Sequence, residues 1–260
     1  MIFSARQDEI VALAKSKGRI YVEELANLFS VTPQTIRKDL NDLCDAKVLT
    51  RIHGGALFPS GTENLQYESR RAMASAEKQD IGRAAAALIP DNASLFINIG
   101  TTTEAVGDAL SDHRELMVIT NNINVANRLR TYPAIEVVIA GGVVRGSDGG
   151  IVGEAAVDFI RQFKVDFAVI GVSAIDEDGA LLDFDYREVK VAQAIIANAR
   201  HVILVSDSGK FERNAPVRIG HISQVHTFIT DQCKVPRIRE ICAENDVRLI
   251  ETAASGSAAI

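Results

Sequence analysis

Two sets of residues in this chain have types and spacings that could do chemistry. The first is Gln34, Thr35, Arg37 and Lys38, which follow Thr32-Pro33. Thr before Pro marks a helix start, with the hydroxyl as cap and the proline in the first turn. Side chains in that turn can enter the major groove of DNA, where Gln pairs with adenine and Arg with guanine. Gln34, Thr35 and Arg37 therefore suit base edges. Lys38, with Arg51 and His53 further on, suits phosphate oxygens, and the helix start at Thr32 favours one too.

The second set is four polar clusters later in the chain. Gly100-Thr101-Thr102-Thr103 offers backbone N–H groups and hydroxyls that could cradle an anion. Asn121-Asn122 offers amides that could meet ligand hydroxyls. Gly141-Gly142 allows close backbone approach, and Arg145 beyond it could pair with a phosphate. Lys210, in Asp207-Ser208-Gly209-Lys210-Phe211, is a point charge for the same purpose. Each cluster also has a plainer reading: a cap by Thr103, a cap by Asn, a glycine turn with a surface arginine, a solvent-facing lysine.

These residues need elements to hold them. A capping box at Ser4 and Gln7 opens a first helix through Ile10, Leu13 and Ala14, with Gly18 able to end it. Residues 20–22 could form a short strand, 23–29 a second helix and 33–46 a third, its inward face Ile36, Leu40 and Leu43. Residues 48–53 and 56–58 flank Gly54-Gly55 as a hairpin. The result is a winged helix-turn-helix over 1–58, although Asp39, Asp42 and Asp45 dilute the positive face of its third helix. Residues 59–74 read as a polar linker. A helix over 75–89 stops at Pro90. Apolar strands at 94–99, 116–120, 135–140, 166–172, 201–206, 226–230 and 247–250 then alternate with helices at 104–111, 122–131, 153–161, 186–199 and 236–245. That alternation predicts an α/β domain over 75–252 with a largely parallel sheet. The polar clusters fall at strand carboxyl ends, where such sheets bind ligands. Residues 253–260 read as a disordered tail.

Composition narrows the classes. Of 260 residues, 47% are hydrophobic and 24% charged, which supports a sizeable globular core. No apolar run is long enough to span a membrane. Charge at Arg6 to Glu9 precedes any apolar stretch, so no secretory signal is expected. Cys44, Cys233 and Cys242 form no CxxC pair, which argues against a zinc site or disulfide framework and fits a reducing cytoplasm. The net charge of −6 divides unevenly: residues 1–58 carry 8 Lys/Arg against 7 Asp/Glu (+1), and 59–260 carry 20 against 27 (−7). A near-neutral head on an acidic body still binds DNA if its cations are well placed. The chain has no GxSxG elbow, P-loop or HExxH, so hydrolase, NTPase and zinc-protease chemistries find no motif.

Three stretches, Tyr21-Val22-Glu23-Glu24-Leu25, Phe29 through Leu40, and Arg51-Ile52-His53-Gly54-Gly55-Ala56, closely resemble the N-terminal domain of DeoR-family transcriptional regulators. The body resembles that family's sensor domain through Ile99 to Thr103, Thr120-Asn121-Asn122, Ala140 to Arg145, Gly149 to Ala155, and Asp207 to Phe211. The resemblance implies a sensor similar in fold to ribose-5-phosphate isomerase that binds phosphorylated sugars or related metabolites as inducers. Stretches 121–127, 181–189 and 194–202 resemble members that govern glycerol catabolism, which makes glycerol 3-phosphate the first expected inducer. Asn98, where those members usually carry Asp, and Gly209, where they usually carry Ser, are departures.

The expected function is therefore a cytoplasmic repressor, a homodimer or homotetramer on double-stranded operator DNA, released by a phosphorylated small molecule. No cofactor, metal or membrane partner is expected. Two alternatives stand beside it. A sugar-phosphate isomerase would need a carboxylate base, for which Asp176, Asp178 or Glu188 could serve. A DNA-bound scaffold would use the body only for assembly. The head makes sensing the economical reading, so no catalytic residue is expected.

Overall fold

The computed structural model describes residues 3–17, 19–46, 48–52, 54–57 and 67–252. The expected roles of Gly18 as a helix end and His53 as a phosphate contact, the first part of the linker and the tail at 253–260 lie outside them. The chain divides into two compact units, Met1–Ser69 and Arg70–Ile260.

The first unit runs α1 (Ala5–Lys17), β1 (Arg19–Tyr21), α2 (Val22–Leu28), α3 (Pro33–Asp45), β2 (Thr50–Ile52) and β3 (Gly55–Leu57). Both halves of the capping box form at α1: the Ser4 N–H donates to Gln7 Oε1 at 2.9 Å, and the Gln7 N–H donates to Ser4 Oγ at 3.2 Å. Ile36, Leu40 and Leu43 of α3 join Ile10, Ala14, Leu25 and Ala26 in one buried cluster. The strands form an antiparallel sheet in the order β1-β3-β2. The two glycines of the wing do different jobs. Gly54 turns the chain at φ +74°. Gly55 is a strand residue, and a β-carbon there would collide with the Ile20 carbonyl of β1.

The second unit opens within α4 (Tyr67–Ala72), a helix where the sequence reads as linker. It continues α5 (Ser75–Ala86), β4 (Ser94–Ile97), α6 (Thr101–Ala109), β5 (Leu116–Thr120), α7 (Ile123–Leu129) and β6 (Ile135–Ile139). A hairpin of β7 (Val143–Val144) and β8 (Ile151–Val152) leads to α8 (Glu154–Ile160) and β9 (Val165–Ile170). Then come β10 (Ala174–Ile175), β11 (Ala180–Asp183), α9 (Tyr186–Ala197), β12 (Ala199–Val205), β13 (Val217–His221), β14 (Thr227–Thr230), α10 (Pro236–Glu244) and β15 (Arg248–Glu251).

Seven of these strands form one sheet in the order β15-β14-β12-β9-β4-β5-β6, every pair parallel. Side chains alternate across it. Leu95, Ile97, Val118, Val169, Ile203 and Val205 pack against Ile81, Ala85, Val106 and Val125 of α5, α6 and α7. Phe96, Ile119, Ala168, Leu204 and Phe228 pack on the other face against Val157, Val189, Ile195 and Ile238 of α8, α9 and α10. Both faces are covered, which is why each strand reads as a continuous apolar run. From β4 the chain first moves outward through β5 and β6, then returns to the other side of β4 with β9 and continues to β15. The β4/β9 boundary is thus the topological switch point, where crevices open at strand carboxyl ends.

Candidate functional site

In the head, the Thr32 hydroxyl caps α3, accepting from the Thr35 N–H at 3.2 Å and lying 2.9 Å from the Thr35 hydroxyl. Gln34, Arg37, Lys38 and Asn41 are exposed at i, i+3, i+4 and i+7, one continuous face opposite the buried one. Arg37 comes no closer than 4.0 Å to Glu23 and keeps half its side chain in solvent. Arg51 on β2 is also exposed. The acidic residues that dilute this helix in sequence do not all share its outer face. Asp39 is buried and accepts from Arg6 Nε at 2.7 Å, and Asp42 accepts from Gln7 Nε2 at 3.2 Å. Both are engaged by α1, so of the three acids only Asp45, at the C-terminal end of α3, is exposed.

In the body, the polar clusters gather at the carboxyl ends of the sheet but divide by role. Gly100 caps α6, so the threonines lie in its first turn and the sequence expectation of a cap by Thr103 is corrected. The Thr103 hydroxyl is turned inward, donating to the carbonyls of Asn98 at 2.7 Å and Gly100 at 2.8 Å. What α6 offers outward is its start, where the N–H groups of Thr101, Thr102 and Thr103 lack helical partners. Asn122 caps α7, accepting from the Asn124 N–H at 2.9 Å, and donates to buried Glu104 at 3.2 Å. Asn121 is fully buried. Its amide donates to the Ile151 carbonyl at 3.1 Å, and its Oδ1 meets no donor among the described residues. Asn98 is buried too and accepts from the Ile99 N–H at 2.7 Å.

Arg145 departs from the role assigned to it by sequence. Its guanidinium donates to Asp148 at 2.8 and 2.7 Å, to Asp185 at 3.2 Å and to Glu188 at 2.5 Å. Three carboxylates already surround it, so it is not a spare cation for phosphate. Gly141 stands open at the carboxyl end of β6, whereas a β-carbon on Gly142 would press against Ile151 and Val152 of β8. Burial and the neighbouring carboxyl of Asp183 push Glu188 up to about 8, against the pull of Arg145. Asp176 and Asp178 are exposed on the turn between β10 and β11, accepting from the nearby backbone N–H groups of Glu177 and Ala180. Of the three carboxylates considered for catalysis, Glu188 is thus engaged by Arg145, and Asp176 and Asp178 by backbone N–H groups of their own turn.

Lys210 is the opposite case. It sits in a 3₁₀ turn, Ser208–Glu212, capped by Asp207, and is only 8% exposed. Lys78 of α5 is 5% exposed. Burial pushes the Lys210 ammonium down to about 7, and the charges of Arg213, Arg70 and Lys78 add to the effect while Asp207 opposes it. Burial also lowers Lys78 and Arg213, with Asp207 again opposing and the neighbouring cations reinforcing. Four cations, Arg70, Lys78, Lys210 and Arg213, thus act on one another in a poorly hydrated space, where Asp207 opposes the shift at Lys78, Lys210 and Arg213 and Asp148 is paired with Arg70. Gly171, after β9, ties this end of the sheet together: a β-carbon there would lie 3.3 Å from Thr103 Cγ2 and 4.0 Å from the Val205 carbonyl. The α6 start and the turn after β12 therefore flank the switch point.

Sequence reasoning misses Arg70, Lys78 and Arg213. One signal was present for Lys78. It stands at i, with Ile81, Gly82 and Ala85 at i+3, i+4 and i+7, a lysine on the apolar face of an amphipathic helix.

Among the described residues no cluster of His, Cys, Asp and Glu could hold a metal ion, and no helix is long and apolar enough to cross a membrane.

Comparison with known proteins agrees with this division. Residues 6–62 match the DeoR-like helix-turn-helix domain, and 73–232 match the DeoR C terminal sensor domain. The chain is 46% identical to the glycerol-3-phosphate regulon repressor of Escherichia coli K12 over 94% of this chain and 97% of that one. Identity to the repressor of the same name from Haemophilus influenzae is 48%, over 87% and 89%. The HTH-type transcriptional repressor CsqR of E. coli K12 is 38% identical over 94% of each chain. Among solved structures, ribose 5-phosphate isomerase from Plasmodium falciparum is similar at a TM-score of 0.39 and 12% identity, over 52% of each chain. With both domains matched and these relatives aligned along almost its whole length, the chain belongs to the DeoR family of transcriptional regulators.

Proposed function

We propose that this protein represses a glycerol or carbohydrate catabolic regulon and leaves its operator when a phosphorylated metabolite, glycerol 3-phosphate foremost, binds the body. Gln34, Thr35 and Arg37 read base edges in the major groove, and Lys38, Arg51 and the start of α3 at Thr32 hold phosphates. His53, which follows Ile52 in sequence, is a further phosphate contact in this reading. One head makes few base contacts, so the protein acts as a dimer or tetramer on repeated half-sites.

The observation that carries the sensor reading is the cation cluster. Lys78, Lys210 and Arg213 are buried or half-buried cations whose charged forms burial disfavours, so an anion that joins them is favoured. A phosphomonoester supplies two negative charges and three acceptor oxygens. Lys210, Lys78, Arg213 and Arg70 hold it, with the N–H groups of Thr101, Thr102 and Thr103 aimed at the same end of the sheet. Asn121, with its unmatched Oδ1, and Gly141 complete the pocket toward the ligand's hydroxyls. The family relationship supports repression and not turnover, and the positions of Asp176, Asp178 and Glu188 support the same conclusion.

Thermal unfolding against a panel of phosphorylated metabolites tests this. A ligand at 100 times its Kd adds about 2.7 kcal/mol of stability. Glycerol 3-phosphate is expected to raise the melting temperature by several degrees, with glycerol and inorganic phosphate far less effective. A rise with another sugar phosphate alone would keep the sensor and change the regulon. No rise with any phosphate would refute the sensor.

A further inference from the structure

The cations of the cluster do more than await an anion. Arg70 and Lys78 already hold the helix that joins the head to the body. Arg70 lies in α4, which crosses from the first compact unit into the second. Its guanidinium donates to Asp148 Oδ2 at 3.1 Å, with the side chain only 11% exposed. The hydrogen bonds and charge of Arg145, the Gly150 N–H and the charge of Arg70 keep the Asp148 carboxyl below its usual range in spite of burial. From the other side, Lys78 Nζ donates to the Arg70 carbonyl and, at 2.6 Å, to the Met73 carbonyl. These are carbonyls of the last turn of α4 and of the residue just beyond it, so Lys78 is its C-terminal cap. Between α4 and α5 the chain turns at Ala74, which sits in the left-handed region at φ 49°, ψ 41°. Alanine there is held against its own preference.

We propose that α4 is a phosphate-operated latch, fastened by Arg70 to Asp148 and by Lys78 to the α4 carbonyls, and unfastened when the inducer's phosphate takes both cations. This rests on the phosphate site proposed above. A dianion seated on Lys210 and Arg213 lies in the field of both latch cations. For Lys78 the exchange is from two neutral carbonyls to a charged acceptor, and the charge-assisted bond is about twice as strong. The carbonyls it leaves lose their cap, and the last turn of α4 frays. For Arg70 the exchange is from a carboxylate shared with Arg145 to a phosphate it can bind in a forked geometry. Asp148 is not abandoned, because Arg145 remains on both its oxygens. The strained turn at Ala74 then relaxes. Ligand chemistry in the body is thereby converted into a change in the segment that leads to the DNA-binding head, with no movement of the sheet required.

Hydrogen exchange of the full-length protein, read by mass spectrometry beside thermal unfolding, tests the latch with glycerol 3-phosphate as probe. At saturation the melting temperature rises while amides at 70–76 exchange about tenfold faster, and those of β4, β9 and β12 do not. Lys78→Met shows the faster exchange at 70–76 without ligand. The wild-type measurement stands by itself should that variant fold poorly. A raised melting temperature with exchange at 70–76 unchanged or slowed leaves the phosphate site in place and overturns the latch. No rise with any phosphate overturns both.

Discussion

Replacing Lys210 by Met raises the melting temperature of the unliganded protein by about 5 °C and removes its response to glycerol 3-phosphate. Most binding-site substitutions either destabilise a protein or leave it unchanged, so the pairing of a gain and a loss is diagnostic. The gain comes from burial among like charges, which holds the Lys210 pKa near 7, well below that of a free lysine. A folded-state pKa lower than the unfolded one means that protonation costs stability. The penalty is complete below pH 7, shrinks as pH rises toward the ordinary lysine range, and vanishes above it. Methionine has nearly the same shape without the charge, and such exchanges typically return about 2 kcal/mol. The advantage of the variant is therefore largest near pH 6 and fades in alkali. The loss follows because the phosphate no longer meets Lys210, a buried cation of its proposed site. Differential scanning calorimetry at pH 6, 7.5 and 9, with and without ligand, reads both effects. A variant that is less stable at pH 6, or that still responds fully, contradicts the assignment of Lys210.

Arg37→Ala is expected to weaken operator binding by about 10²-fold or more while leaving non-specific DNA binding and stability almost unchanged. A bidentate Arg–guanine pair carries about 1–3 kcal/mol of discrimination, and an oligomer places it at each half-site. The fold does not depend on Arg37, which is exposed and only loosely approached by Glu23. Helix α3 is held by Ile36, Leu40 and Leu43 on its other face. Lys38→Ala is the control: it should weaken all sequences alike and reduce the salt dependence by about one ion per head. Fluorescence anisotropy on operator and scrambled duplexes separates the two. Equal losses on both duplexes for Arg37→Ala would make it a phosphate contact.

The head was legible almost residue by residue because its signals are local. The Ser4/Gln7 box, the Thr32-Pro33 start and the spacing of Ile36, Leu40 and Leu43 each act within one or two turns. The seven parallel strands were legible for a related reason: burial on both faces writes each as an unbroken apolar run. The two-residue strands at 143–144, 151–152 and 174–175 are too short to show any period.

The proposed ligand site was half legible. Glycines and Lys210 at strand ends point to the same end of the sheet as the proposal does. What no local pattern shows is which charges meet. Lys78 and Lys210 are brought together because Ile81 and Ala85 of α5 pack on Ile203 and Val205 of β12. Arg145 is taken out of the proposed phosphate site because α9 carries Glu188 up to it and its cap Asp185 reaches the same guanidinium. A charged residue read from sequence has a type and an address but no partners, and here partners decide which cation is free to bind. Gly209 is a milder departure. Its backbone is not in the left-handed region, and a β-carbon would lie 3.0 Å from Asp207 Oδ1, so a serine there needs only a small shift.

The central claim is that phosphate occupancy in the body lowers affinity for DNA at the head. Its most direct test is operator binding by the full-length protein, followed by anisotropy as glycerol 3-phosphate is titrated, with Lys210→Met in parallel. The account predicts that the wild-type Kd for operator rises about tenfold or more across the range that also raises the melting temperature. Lys210→Met should hold the operator throughout. An operator Kd that stays constant while the ligand demonstrably binds would contradict the account.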